Sequence, residues 1–544
     1  MPGLIYPLPE APEVGDAEAR KAPSTGPGPW SIALYRSLWL ATTFSNVGTC
    51  MKDVGAGWLM TSLSASPLLV ALVQSAAMLP MALLSLPAGA LADIVSRRKL
   101  LIAAQAWALG ASLILFFVTL AGSMDPALLL LLTFATACGS AFSIPALQSV
   151  TTEIVPRAAL TRAVSLGGVS NNIARILGPA AGGLVIAAAG AEWVFLANGL
   201  SILGIIAVIR RWEHVPQPAR FPPEHLLGAI RAGFRYVHSS GGLHSLMVRC
   251  IVFFTGASAL WSLLPLLARH QLGLGPAGYG LLLTFIGAGA ITAALMYHQL
   301  RLFLSADAMT RGASLLLAGA LAVAGLATIP SAALVAMFAA GFGWNLMTSS
   351  FQSTALLDAA PWVKARAFGI FLMVFNASMA LGAFLWGTVA TLLGLQESML
   401  LASGLLALGL VASLRYRLVF DPDQDFSPSR HWPDPATEIQ PAADDGPVLV
   451  TIEYEVSPAN DELFVKRLGR LRALRLRDGA MRWRYWRDVS RRNLVIETFI
   501  VDSWLEHMRQ HDRVTKADRL LQEEVNALHS GKSPPRVRHW IALR

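Results

Sequence analysis

The sequence predicts an all-α membrane fold of twelve transmembrane helices in two pseudo-symmetric six-helix halves, followed by a small α+β ferredoxin-like cytoplasmic domain. Three observations predict it. Only 14% of the 544 residues are charged, against about a quarter in soluble chains, and residues 37–417 are almost continuously apolar. Residues 204 positions apart match across that apolar region. After Arg417 the chain turns polar and its hydrophobic periodicity changes.

In chain order, residues 1–36 form a Pro- and Gly-rich N-terminus with too little apolar content to bury a core, and are expected to be disordered. They contain no apolar stretch of the signal-peptide kind. Spans of roughly 20 residues are expected near 37–61, 67–91, 100–122, 127–150, 164–190 and 192–210, then near 243–268, 277–299, 309–329, 332–356, 366–393 and 397–416. The first set makes an N-terminal half over 37–210 and the second a C-terminal half over 243–417. The linker 211–242 holds an amphipathic helix, Glu224–His238, with Leu226, Leu227, Ile230, Phe234 and Val237 on one face. Residues 418–447, rich in Pro and Asp, read as a second linker. Residues 448–544 read as strand, helix, two strands, two helices and a last strand, the order of a ferredoxin-like or dimeric α/β-barrel-like domain.

Charge orients the spans. Arg97, Arg98 and Lys99, Arg157 and Arg162, Arg210, Arg211, Arg220, Arg231 and Arg235, Arg301 and Arg311, and Lys364 and Arg366 all fall in alternate loops, and the other loops carry only Arg269. The positive-inside rule then places both termini of this multi-pass protein in the cytoplasm. The net charge of +9 follows from this asymmetry and calls for no nucleic-acid partner. Cys50, Cys138 and Cys250 lie in apolar runs without metal or disulfide spacing.

The repeat pairs Gln148-Ser149 with Gln352-Ser353, Gly139 with Gly343, Arg162-Ala163 with Arg366-Ala367, Asn172 with Asn376, Gly178 with Gly382 and Gly183 with Gly387. Two repeated halves imply a central cavity and alternating access. The stretch Asn171–Gly183, NNIARILGPAAGG, stands out inside its apolar run. Gly178, Pro179, Gly182 and Gly183 suit a close helix crossing, and Arg175 near mid-span suits a protein interior or a water-filled cavity. In the first helix Thr42, Asn46, Thr49 and Asp53 share one face, with Lys52 beside it. Asp53 is the candidate protonatable coupling residue, and an ion pair with Lys52 or Arg175 is the structural alternative. Gln148, Asn171, Asn172, Asn345, Gln352 and Asn376 are candidate cavity residues or helix-to-helix contacts.

The loop after the second helix reads Gly89-Ala-Leu-Ala-Asp93-Ile-Val-Ser-Arg97-Arg98-Lys99 and resembles the loop 2–3 signature of the major facilitator superfamily. Ile94 and Ser96 depart from that signature's basic and Gly positions. The resemblance implies that Gly89, Asp93, Arg97 and Arg98 form a gate that holds the cytoplasmic side shut, with the Asp near a helix N-terminus. Gly178-Pro179-Ala-Ala-Gly182-Gly183 is similar to the fifth-helix signature of the superfamily's exporters and antiporters, which implies efflux. The fourth-helix Arg linked to proton coupling in that family is Ala135 here.

The tail segment Asp502–Arg513, with Trp504, His507 and His511, resembles the transmembrane secretion effector branch, which includes siderophore exporters resembling the enterobactin exporter. The sequence contains no P-loop, zinc spacing or nucleophile elbow, so no enzyme activity and no cofactor are expected. The expected partners are a small amphipathic substrate of the siderophore or drug class, protons as coupling ion, the lipid bilayer, and a second copy through the tail domain. The alternatives are a membrane-anchored ligand sensor or enzyme acting through the tail, where His507 and His511 could bind a ligand or metal, and a lipid mover of the same fold.

Overall fold

Each long apolar run folds as one helix. The computed structural model describes residues 28–212, 226–418 and 425–542, the last with single-residue and two-residue gaps between 426 and 440. Of the residues 1–36 expected to be disordered, 1–27 lie outside this range, whereas Pro29–Ser31 form a helical turn and α1 begins at Ala33, with Tyr35 buried. In the N-terminal half the helices are α1 (Ala33–Leu63), α2 (Pro67–Ile94), α3 (Arg97–Leu120), α4 (Pro126–Ile154), α5 (Arg157–Ala189) and α6 (Ala191–Arg211). The linker contributes α7 (Leu226–Ser239). The C-terminal half contains α8 (Gly241–Leu266), α9 (Pro276–Phe303), α10 (Ala306–Leu326), α11 (Pro330–Leu357), α12 (Lys364–Leu393) and α13 (Leu395–Arg415). Among the described residues, eleven helices are long and apolar enough to cross a membrane. The other long one, α1, carries Arg36, Lys52 and Asp53.

Local chemistry sets the boundaries. Proline opens α2, α4, α9 and α11, where its missing N–H is one of the unpaired first-turn donors in any case. Gly190 and Gly394, 204 residues apart, join α5 to α6 and α12 to α13 at φ +111° and +108°. Only glycine adopts that backbone without strain, so the same turn is built twice.

The tail holds β1 (Val448–Glu455), α14 (Asp461–Asp478), β2 (Met481–Arg487), β3 (Leu494–Val501), α15 (Trp504–Arg513), α16 (Lys516–Asn526) and β4 (Arg536–Ile541). The four strands form one antiparallel sheet in the order β2-β3-β1-β4, with Val448 opposite both Val501 and Ile541. Alternating residues Val448, Val450, Ile452 and Tyr454 of β1 pack with Phe464 and Leu468 of α14 and Phe499 of β3. A buried carboxylate organises this core. Glu497 accepts from Arg475 Nε at 3.1 Å, Trp483 Nε1 at 2.8 Å and Tyr454 Oη at 3.1 Å. Charge and acceptor sites are therefore satisfied together, as a buried ion pair requires.

Part of the expected second linker is docked on the tail. The Ser427 carbonyl accepts from Lys516 N, the Ser429 N–H donates to the Val514 carbonyl, and Trp432 Nε1 donates to Gln522. The indole of Trp432 lies 4.9 Å from the Arg475 guanidinium. The tail in turn rests on the C-terminal half. Arg477 stacks on Tyr236 of α7 at 5.3 Å, and Arg513 stacks on Trp362, just before α12, at 4.5 Å. Tyr236 is buried, meets Trp362 edge-on and accepts from the Ala360 N–H at 3.0 Å.

Candidate functional site

The helices α1 and α5 run side by side and are laced by polar contacts that rise from the basic end of the bundle. Tyr35 Oη donates to the Ala163 carbonyl, and Trp39 Nε1 to that of Leu166. Thr43 Oγ1 donates to Ser170 Oγ at 2.9 Å, and Asn46 Nδ2 to Asn171 Oδ1 at 3.0 Å. Above them Gly178 packs on Val47 and Cys50, and Gly182 on Met51. Arg175 and Asn171, one turn apart on α5, are both exposed. Arg175 has no ion-pair partner among the described residues, and its backbone carbonyl abuts Gly287 of α9. An unpaired guanidinium mid-helix is tolerable only where water reaches it.

The glycine motif closes two kinds of interface. Gly178 meets α1, the first helix of its own half, and Gly382 meets Thr255 and Ser258 of α8, the first helix of the other half. Gly183 meets Pro276 and Gly280 of α9, and Gly387 meets Leu68 and Ala71 of α2. Each second glycine thus packs across to the second helix of the opposite half. Pro179 is buried at the same seam, its carbonyl facing Gly280. Ser75 Oγ donates to the Ala380 carbonyl at 2.7 Å, the Leu68 N–H to Thr391 Oγ1 at 3.2 Å, and Arg269 to Thr61 and Ser62. These hydrogen bonds between the halves lie from mid-span to the end away from the basic loops.

The other sequence candidates divide. Lys52 is buried and pairs with Asp53 at 2.6 Å, while Asp53 itself is half exposed. Thr49 Oγ1 turns toward α6 and donates to Asn198 Oδ1 at 3.4 Å. Asn172 is half-buried, and Gln148 and Gln352 are exposed near the basic end. Asn345 and Asn376 are buried instead of opening onto water. Asn376 Nδ2 donates to the Leu372 carbonyl at 2.7 Å, and Asn345 Oδ1 accepts from Ser349 Oγ at 3.3 Å. Both bonds are made within the residue's own helix.

In the loop signature, Gly89 and Asp93 occupy the last two turns of α2, which runs on to Ile94. Asp93 is thus at a helix C-terminal end, where the resemblance implied an N-terminus, and its side chain lies outside the described residues. Arg97 pairs with Glu153 of α4, and Arg98 donates to the Arg210 carbonyl at the end of α6. These two contacts stay inside the N-terminal half.

Sequence reasoning missed two buried polar hubs. Asn198 joins three helices, since its Nδ2 also donates to Ser112 Oγ of α3 at 2.9 Å. Arg249 of α8 pairs with Asp307 in the first turn of α10, donates to Thr310, and is joined there by Arg311. The signal was present, because Arg249 is a charge inside an apolar run.

The tail has its own polar cluster. His507 and Gln510 of α15 are buried at 1% and 0% exposure. The rings of His511 and His539 lie 4.9 and 4.7 Å from that of His507, and Trp504 lies 5.6 Å away. Among the described residues no group of three or more His, Cys, Asp or Glu is arranged to hold a metal ion. Burial pushes the His507 imidazole down to about 3, His539 and His511 add to this, and the Gln510 side chain opposes it without reaching hydrogen-bonding geometry. Burial lowers His539 as well.

A depressed histidine gives stability that is full above its unfolded value near 6.5 and is lost as pH falls, because only the unfolded chain then binds the proton. Lowering the pH from 7.5 to 5.5 is expected to cost the tail about 1.4 kcal/mol through His507. Pulse proteolysis of the full-length protein in urea should show this slope, and His507→Phe should flatten it.

Comparison with known proteins places this architecture. The sequence profile of the transmembrane secretion effector family matches residues 24–544. The multidrug efflux pump Tap of Mycobacterium tuberculosis is 28% identical over 407 residues, spanning 71% of this chain and 93% of the pump. Macrolide efflux protein A of Streptococcus pyogenes is 20% identical over 385 residues, spanning 69% of this chain and 94% of that protein. Among solved structures, a bacterial homologue of the human lysosomal transporter Spinster superposes with a TM-score of 0.58 at 16% identity, covering 73% of this chain and 100% of the other. A POT family transporter superposes with a TM-score of 0.60 at 10% identity, covering 70% and 95%. These two likenesses concern the fold alone. The profile match takes in the helical halves and the tail together, and the chain belongs to the transmembrane secretion effector family of the major facilitator superfamily.

Proposed function

We propose that the protein is a proton-coupled secondary active exporter that moves small amphipathic molecules out of the cytoplasm by alternating access. The relatives' names favour drugs as the substrate class, with siderophores second. Twelve spans, α1 included, with both termini on the cytoplasmic side of the inner membrane, complete the reading. The tail is then a cytoplasmic ferredoxin-like domain carried by the C-terminal half.

The observation that carries the proposal is the placement of exposed, unpaired Arg175 just below the glycine seam that joins the halves. If the basic loops mark the cytoplasm, the bonds between the halves belong to the periplasmic side. Asn46, Asn171 and Arg175 then line a cleft reached from the cytoplasm, which is the state that loads an export substrate.

Inverted membrane vesicles carrying the protein test this. An imposed proton gradient should drive accumulation of a macrolide or a cationic dye, an uncoupler should collapse it, and Arg175→Ala should reduce it to background. Accumulation that survives the uncoupler removes proton coupling. Vesicles that concentrate neither probe remove the drug-exporter reading.

A further inference from the structure

A well-packed interior leaves few polar groups unsatisfied, because each one buried without a partner costs about 1–3 kcal/mol. The tail concentrates such groups in one place. Both ring nitrogens of His507, both polar atoms of the Gln510 carboxamide and Nη2 of Arg475 are buried and make no hydrogen bond. All three residues are at least nine-tenths buried. His507 and Gln510 are one turn apart on α15, and Arg475 reaches in from α14. Trp504 and His539, both half-buried, flank His507 on the outer side.

From this juxtaposition we propose that the tail domain is a binding site for a small, uncharged, planar heteroaromatic molecule with adjacent hydrogen-bond donor and acceptor groups on one edge. The proposal does not depend on the exporter reading.

The chemistry selects that class. A carboxamide presents a donor and an acceptor in one plane, and a lactam-like edge matches both at once, as Gln does with a base edge in nucleic-acid recognition. His507 is held neutral, so it too offers one N–H and one acceptor nitrogen. The charge of Arg475 is already balanced by Glu497 at 3.1 Å, so the site has no net charge to offer an ion. The indole of Trp504 and the imidazole of His539 supply flat walls, and as the less buried members they are the groups that part to admit a ring. One turn beyond Gln510, α15 ends in Arg513, which is also buried and stacks on Trp362 of the membrane part. An occupant that shifts α15 would therefore be felt at the start of α12.

The test uses the full-length protein in detergent and three probes: 2-pyridone, N-methyl-2-pyridone, which lacks the donor, and toluene, which lacks both groups. Calorimetric titration should show saturable binding of 2-pyridone, weaker by at least about tenfold for N-methyl-2-pyridone, and no binding of toluene. Gln510→Met and His507→Phe should each weaken 2-pyridone binding by at least about tenfold while unfolding at or above the wild-type temperature, because each removes unsatisfied polar atoms without opening a cavity. Should one variant fail to fold, the other decides. Three results overturn the proposal: no saturable heat with wild type at millimolar 2-pyridone, which would leave only buried water at the site; equal binding of the N-methylated probe; or unchanged binding by the variants.

Discussion

Valine at position 183 is expected to abolish efflux while leaving the protein in the membrane. A Cβ added to Gly183 would lie 2.7 Å from the Pro276 carbonyl oxygen and 3.0 Å from Gly280 Cα. Both obstacles are backbone atoms, so no rotamer change relieves the clash, and α5 and α9 must part. Two further methyl groups enlarge the wedge. This seam joins the two halves, so the substitution acts on their equilibrium and less on the core of either half. It disfavours the arrangement in which the halves meet here, and a transporter held out of one of its two states does not cycle.

Position 387 provides the matched experiment. Its Cβ would lie 2.6 Å from Ala71 Cβ and 3.1 Å from Leu68 Cα, on the equivalent seam. Gly387→Val should therefore reproduce the loss, and Gly404→Val on α13, with open space around it, should not. Vesicle transport reads the activity, and thiol labelling of an Asn171→Cys variant reads access to the cleft. Wild-type transport by both seam variants would mean that the glycines serve assembly only.

Much of the fold could be read from the sequence because periodicity and length leave few choices in a bilayer. The helices at the expected spans and in the linker fall close to their expected places, α5 differing most by starting at Arg157 instead of near 164, and the tail elements follow in the expected order. The repeat carried more than topology. It paired Gly178 with Gly382 and Gly183 with Gly387, and the contacts of those glycines are equivalent in the two halves. What could not be read is which way a polar side chain turns. Asn172 and Asn376 share a repeat position, yet Asn376 is buried and bonded to Leu372 while Asn172 is only half-buried. Thr49 and Asn46 share a helix face by spacing, but one reaches α6 and the other α5. Residues 418–447 read as a linker by composition, and Trp432 ties that segment to the tail through a partner 90 positions away. Spacing within one segment cannot report a partner in another.

Lys52 and Asp53 are the sharpest case, and they lead to the second large effect. Neighbours on a helix point about 100° apart and do not ordinarily face each other. Here the long Lys52 stem brings Nζ to 2.6 Å from Asp53 Oδ1, with the ammonium side chain 6% exposed and the carboxylate 51%. Removing the two partners is therefore not equivalent. Asp53→Asn leaves a buried ammonium unpaired and is expected to destabilise the protein by about 3 kcal/mol, the low end for such pairs because the carboxylate itself meets water. Lost efflux in that single variant would confound a missing proton site with a missing counter-ion. Lys52→Met combined with Asp53→Asn removes both charges at similar volume and should restore expression to near the wild-type level. If Asp53 carries the coupling proton, the double variant is well expressed but no longer accumulates substrate when a proton gradient is imposed. Gradient-driven accumulation at the wild-type level by the double variant would assign Asp53 to the ion pair alone and move the search for the coupling site to other helices.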